Sequence, residues 1–241
     1  MSQIAVVTGA SSGIGAGIVR TLAAAGIEVH ALARRPDRLA ALSAETGCTT
    51  HMVDVTDTVR LAEVMGSLQP DILVCNAGRG AGFEGLASTS HDTLAATIEI
   101  NVTALLDTIR LALPGMIERG RGHVVTMGSV SGLYPSVSSI YGGAKGAVTL
   151  IGQDLRLELR GTGIRVTDIR PGRVTSEFYD VAVDDPDLRV RTKATGIREL
   201  VPEDIARAVL YAVTAPSHVN VSAIEIQPIE QTYGGTQFDP G

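Results

Sequence analysis

The sequence has no tryptophan, and aromatic residues make up only 3% of it. It also lacks a basic surplus: 20 Lys and Arg stand against 26 Asp and Glu, a formal charge of −6 at pH 7. With no surplus of positive charge and few stacking rings, the chain is poor in the features on which binding to phosphate backbones and bases rests, so nucleic acid is not an expected partner. No apolar run approaches the ~18 residues of a membrane span, and Met1-Ser2-Gln3-Ile4 has no basic stretch leading into an apolar one. No membrane partner is therefore expected, and the expected location is cytoplasmic. The two cysteines, Cys48 and Cys75, form no CxxC pair and the five histidines are scattered singly. The expectation is therefore no metal site, no disulfide framework, and two reduced, buried thiols. The absence of a Gly-Lys-Ser/Thr triplet argues against a P-loop nucleotide site.

What the chain does have is 44% apolar residues over 241 positions, enough to bury a sizeable core. Short apolar runs at 4–8, 28–33, 50–54, 72–75, 123–127, 164–169 and 223–226 read as strands. Amphipathic segments at 13–25, 37–46, 57–68, 92–118, 141–160 and 202–214 alternate with them and read as helices. This rhythm predicts an α/β protein: a single Rossmann-type, doubly wound domain over 1–241, with a seven-stranded parallel sheet covered by helices on both faces. Residues 180–198 are irregular, charge-rich and too long for a routine connection. They follow the C-terminal end of a strand, where open α/β sheets bind ligands, so a substrate lid is expected over about 176–200.

The first strand runs into Thr8-Gly9-Ala10-Ser11-Ser12-Gly13-Ile14-Gly15, after which the pattern becomes helical. Strand, glycine turn and helix together point free N–H groups at a pyrophosphate, with Gly9, Ser11, Ser12, Gly13, Ile14 and Gly15 as the expected cradle. Roughly twenty residues on, where an NAD site places an acid against the ribose 2′-OH, the second strand ends in Arg34-Arg35. Two cations just before a helix N-terminus oppose its dipole unless an anion joins them, and a 2′-phosphate supplies one. NADP(H) is therefore the expected cofactor. Asp54, followed by Val55, either accepts a hydrogen bond from adenine or caps the next helix. Asn76-Ala77-Gly78 ends the fourth strand where it can shelter a ribose.

Tyr141 and Lys145 are an i, i+4 pair on one helix face. Bringing a phenol from ~10 to neutrality requires about 4 kcal/mol, and a cation ~4 Å away supplies about that much at an effective dielectric of ~20. Ser129 ends the fifth strand at the same sheet edge, where its hydroxyl can polarise a carbonyl. Asn101, a poor helix former inside a long helix, is placed to order water toward Lys145. Pro171, Gly172, Val174 and Ser176 follow the sixth strand in a turn suited to a carboxamide.

Together, TGASSGIG at 8–15, NAG at 76–78, Asn101, Ser129, YGGAK at 141–145 and PG at 171–172 resemble the short-chain dehydrogenase/reductase family across essentially the whole chain. The resemblance implies hydride exchange at nicotinamide C4, with Tyr141 as general acid/base and Ser129 as orienter of the substrate oxygen. It also implies that Lys145 tunes the tyrosine and binds the nicotinamide ribose, and that Asn101 organises a relay water. Residues 112–119, 165–169, 176–178, 216–220 and a C-terminal tail from about 229 to 241 are similar to the NADP-dependent serine/3-hydroxy acid dehydrogenases and sulfoacetaldehyde reductases. That similarity implies a homotetramer or homodimer, and a small alcohol or carbonyl substrate such as a hydroxy acid, sulfonate or amino alcohol.

The chain departs from this subgroup in places. Ser129 and Tyr141 are twelve positions apart, one fewer than usual there, with Ser131 an alternative hydroxyl. Cys75 replaces an Asn, and Arg170 and Arg173 flank the PG turn. Arg173 is either the partner of an anionic substrate or one of several arginines balancing surface aspartates. The rival to an enzyme is an NADP-binding regulator or scaffold, which would not require the complete Asn, Ser, Tyr and Lys set.

Overall fold

The computed structural model describes residues 3–231. Seven strands, β1 (Ile4–Thr8), β2 (Glu28–Ala33), β3 (Thr49–Met52), β4 (Ile72–Cys75), β5 (Gly122–Met127), β6 (Ile164–Pro171) and β7 (Ala223–Ile226), form one parallel sheet in the order β3-β2-β1-β4-β5-β6-β7. The order reverses between β1 and β4, which opens a crevice at their C-terminal ends. Helices α1 (Gly13–Ala24), α2 (Pro36–Thr46) and α9 (Pro202–Thr214) cover one face, where Ile18, Val19 and Leu22 meet Ile205, Val209 and Val213. Helices α3 (Thr58–Gly66), α5 (Ala104–Arg119) and α6 (Ser139–Glu158) cover the other, through Leu61, Met65, Ile109, Met116 and Val148. The expected doubly wound fold is the one observed.

The differences from expectation have local causes. The segment expected as one helix over 92–118 is α4 (His91–Ile98) joined to α5 by a π-helical turn, Glu99–Thr103. Asn101 sits in that turn, and its Nδ2 donates to the Thr97 and Arg79 carbonyls (both 2.9 Å). A side chain that captures a mid-helix carbonyl competes with the backbone and favours the wider turn. By length and composition the continuous helix from His91 to Arg119 would pass for a membrane span. Its apolar side, however, is spent on the sheet through Leu105, Ile109 and Met116. The third strand ends at Met52, leaving Asp54 in the following loop, and α3 is capped by Asp57, which accepts from the Arg60 N–H (3.0 Å). The irregular 180–198 segment contains two short helices, α7 (Phe178–Ala182) and α8 (Pro186–Lys193). Both cysteines are buried free thiols, with Cys75 pushed up to about 12 by burial. The tail expected over 229–241 lies outside the described residues from 232 onward.

Candidate active site

A cleft of about 470 Å³ runs along the C-terminal sheet edge, from the α1 N-terminus to Tyr141. At one end the chain turns out of β1 through Gly9, whose φ of +65° suits glycine and whose added Cβ would lie 2.8 Å from the Ala77 Cα. The turn is fastened to β4 by two side chains. Thr8 Oγ1 accepts from the Asn76 and Ala77 N–H groups (3.1 and 3.0 Å), and Asn76 Nδ2 donates to the Thr8 and Gly9 carbonyls (3.0 and 3.3 Å). Asn76 is thus committed to holding the turn.

The first turn of α1 has no acidic residue, and the Ser12 hydroxyl at its N-cap accepts no bond from the helix. Its N–H groups and dipole face the cleft, as an anion site requires. Gly9, Ser11, Ser12, Gly13 and Ile14 line the cleft, whereas Gly15 lies behind it, where a Cβ would collide with the Gly9 carbonyl. Arg34, Arg35, Asp54, Val55, Asn76, Ala77 and Gly78 form the wall beyond. Arg34 reaches Asp54 at 3.5 Å. Burial pushes the Asp54 carboxyl up, but its bonds from the Thr56 N–H and hydroxyl (3.0 and 2.8 Å), together with Arg34, leave it below its ordinary value.

At the other end, Ser138 caps α6 by accepting from the Tyr141 N–H (3.1 Å) and donates to the Ala81 carbonyl (2.6 Å). This fixes the first helical turn, which carries Tyr141. Ser129 is buried beside it, and its Oγ also accepts from the Ser131 N–H (3.1 Å). One turn further on, Lys145 is 6% exposed, its Nζ 5.9 Å from the Tyr141 ring centre and donating to the Met127 carbonyl (2.7 Å). The Asn101 Oδ1 is a buried acceptor with no partner among the described residues, and a Cβ on Gly78 would lie 2.7 Å from it and 3.6 Å from Lys145 Nζ. Asn101, Ser129, Tyr141 and Lys145 therefore meet around one space, which Pro171, Gly172, Val174 and Ser176 close from β6.

Two expectations change. Burial pushes the Tyr141 phenol well above its ordinary value, with Tyr179 adding and the Ser129 hydroxyl opposing. Burial lowers Lys145 itself to about 8, against an opposing pull from Asp168. The fold buries both partners, which disfavours the charged form of each. Arg173 does not offer its charge to a substrate: it is 7% exposed, pairs with Glu199 (2.6 Å), donates to the Thr192 carbonyl (2.6 Å) and stacks on Tyr179 (3.9 Å to the ring centre). Arg79 was not singled out by the sequence. It lines the cleft, and its buried Nε has no partner among the described residues.

The chain's few rings concentrate here. Phe83, Phe178 and Tyr179 surround Tyr141, with Phe178 5.2 Å away between ring centres. Spacing rules give no signal for Phe178 or Tyr179, since they reach Tyr141 from the lid.

A nucleotide-sized cleft at the crevice of a Rossmann sheet, ending on a Ser, Tyr and Lys set, is the arrangement of a dehydrogenase. The chain belongs to the short chain dehydrogenase family, whose model matches residues 3–186. It is 37% identical over 242 aligned positions to the NADP-dependent 3-hydroxy acid dehydrogenase YdfG of Salmonella typhi, covering 97% of this chain and 98% of that protein. The protein of the same name from Escherichia coli K12 is 36% identical over the same length. Among solved structures, the closed form of a serine dehydrogenase complexed with NADP+ superposes with a TM-score of 0.91 at 36% identity, covering 98% of this chain and 99% of that one. Serine dehydrogenase from Escherichia coli gives 0.84 at 34% identity, covering 96% of this chain and 100% of that one.

Proposed function

We propose that the protein is an NADP(H)-dependent oxidoreductase interconverting a small alcohol, preferably a short hydroxy acid, and its carbonyl form. The observation that carries this reading is one continuous cleft that joins an uncapped helix N-terminus and two arginines to Ser129, Tyr141, Lys145 and Asn101. The residues present fit the dinucleotide: the α1 N-terminus and Ser11 to Ile14 for the pyrophosphate, Arg34 and Arg35 for the 2′-phosphate, Asp54 and Val55 for adenine. Ala77, Gly78 and Lys145 serve the nicotinamide ribose, and 171–176 the carboxamide. Bound NADPH supplies the hydride that reaches the carbonyl carbon.

Everything else is done by the chain. Ser129 and Tyr141 hold the carbonyl oxygen, and Tyr141 gives it the phenolic proton as the oxygen gains charge. A phenol kept protonated by burial is the acid this direction requires. Lys145, fixed by the Met127 carbonyl, holds positive charge beside the phenolate that remains, and the free Asn101 Oδ1 accepts from a water that returns a proton to it. Arg79, whose buried Nε has no partner among the described residues, lines the cleft as the cation for a substrate carboxylate, the role that Arg173, paired with Glu199, does not fill. Residues of about 176–200 form the lid. The exposed Leu106, Leu150 and Leu157 on α5 and α6 support assembly into a homotetramer or homodimer.

The test is NADPH consumption against a panel of carbonyls. Short 3-oxo acids are expected to be reduced faster than neutral ketones of equal size, and NADH is expected to be a poor substitute. No turnover on any member would favour the regulator. The pH profile gives a second check, because kcat/KM for NADPH reports groups of the free enzyme. It should be level at neutral pH and fall once Lys145 loses its proton above about 8. Lys145→Arg should remove that fall, and a level profile through alkaline pH in the unaltered enzyme would contradict the role given to the lysine.

A further inference from the structure

Asp168 on β6 is 3% exposed, and its carboxylate is held from three elements. Oδ1 accepts from the Thr126 hydroxyl of β5 (2.9 Å), and Oδ2 accepts from the Thr149 hydroxyl of α6 (3.1 Å) and from Arg170 Nε on β6 itself (2.7 Å). These partners are the supports of the site. Thr149 lies one turn along α6 from Lys145 on the same helix face, and Thr126 precedes Met127, whose carbonyl receives Lys145 Nζ (2.7 Å). The carboxylate also lies against the next residue, because a Cβ on Gly128 would be 2.6 Å from Oδ1. Ser129 follows. The acid thus sits where the strand end that bears Ser129 meets the helix face that bears Lys145. Elsewhere this layer is apolar, with Val124, Val148 and Val166. A buried ion pair adds little to stability compared with such packing, so the charge at this position is better explained by what it does for the site.

We propose that Asp168 is a positioning residue for the reaction: its carboxylate, fixed by Thr126, Thr149 and Arg170, supplies the buried negative charge that keeps the Lys145 ammonium in place and charged beside Tyr141. The proposal deepens the reading given above and rests on the role assigned there to Lys145. An ammonium only 6% exposed has lost nearly all of its water, and the Met127 carbonyl gives it a dipole in exchange but no charge. Tyr141 does not supply one, since burial keeps its phenol protonated. The other ionisable groups around the site are engaged or cationic. Arg170 is bound to Asp168, Arg79 lines the cleft, and Tyr179 lies against Arg173. Glu225 of β7, opposite Arg170 in the strand register, accepts from the Tyr134 hydroxyl (3.1 Å). Asp168 is the acid whose pull on Lys145 opposes the effect of burial. Arg170 works against that pull, because its guanidinium partly cancels the carboxylate's charge. The pair therefore sets how firmly the lysine holds its proton.

The sequence contains two lysines, Lys145 and Lys193, so labelling lysine with carbon-13 at the ε position gives two signals by NMR, and Lys193→Arg assigns them. Followed against pH in the full chain without nucleotide, the Lys145 signal should titrate at about 8. Asp168→Asn, of nearly the same shape, should lower that midpoint by on the order of one pH unit, and Arg170→Gln should raise it by a smaller amount. Contacts that served only the fold would not move the midpoint in opposite directions. The alkaline fall of kcat/KM for NADPH should follow the midpoint in each variant. A midpoint unmoved in Asp168→Asn overturns the inference, as does one that moves the same way in both variants. Should Asp168→Asn not fold, Arg170→Gln decides alone, an unmoved or lowered midpoint overturning the inference. Midpoints that move as expected while the fall in kcat/KM stays in place support the inference and overturn instead the role given to Lys145 in the reaction.

Discussion

Tyr141→Phe is expected to lower kcat for carbonyl reduction by about 10²–10⁴-fold while leaving the Kd for NADPH within about twofold. The ring stays, so its packing against Phe83 and Phe178 is kept, and only the hydroxyl that faces Ser129 is lost. The loss falls on the transition state because the missing proton is needed only as the carbonyl oxygen gains charge. Stopped-flow reduction under single-turnover conditions checks it. A variant that keeps a tenth or more of the original rate would mean that Ser129, or a water near the free Asn101 oxygen, donates instead.

Glu199→Ala is expected to destabilise the fold by about 3 kcal/mol, because it leaves the Arg173 guanidinium buried without its counter-ion. For a domain of this size that corresponds to a fall in Tm of roughly 6–12 °C. The bond to the Thr192 carbonyl and the stacking on Tyr179 keep the loss from being larger. Thermal unfolding of Glu199→Ala and Arg173→Met, alone and combined, separates the readings. If Arg173 is structural, the double variant recovers much of the stability lost in Glu199→Ala, since the stranded charge is gone. A Tm unchanged in Glu199→Ala would show that Arg173 can turn toward the cleft, and would reopen its role as the substrate's partner.

The sheet is legible because the buried strands are mostly apolar, β1 and β4 as nearly unbroken runs. Ile72–Cys75 is buried at every position, and its limits were read without error. The strand expected over 50–54 is Thr49–Met52, one residue off at its start and two at its end, because it is a half-exposed edge strand with weaker patterning. The four residues expected at the site converge because each lies at a C-terminal strand end or on the helix face above one. What the sequence left hidden depends on burial and on long-range contacts. The upward shift of Tyr141 follows from the lid's rings closing over it, and Glu177 meets Arg35 across 142 positions. Arg173 reads as a surface cation until the fold places Glu199 and Tyr179 against it. Asn101 was recognised as out of place in a helix, but the π-helical turn that accommodates it was not.

The central claim is that Tyr141 delivers a proton beside a nicotinamide bound in the same cleft. The most direct test is a single turnover with NADPH carrying deuterium at the transferring C4 position and a 3-oxo acid as acceptor, with the label located by NMR. The account predicts deuterium on the new carbinol carbon in the unaltered enzyme and no such transfer on the same timescale in Tyr141→Phe. Label that stays on the nucleotide or is lost to solvent, or transfer at the same rate in both proteins, would contradict it.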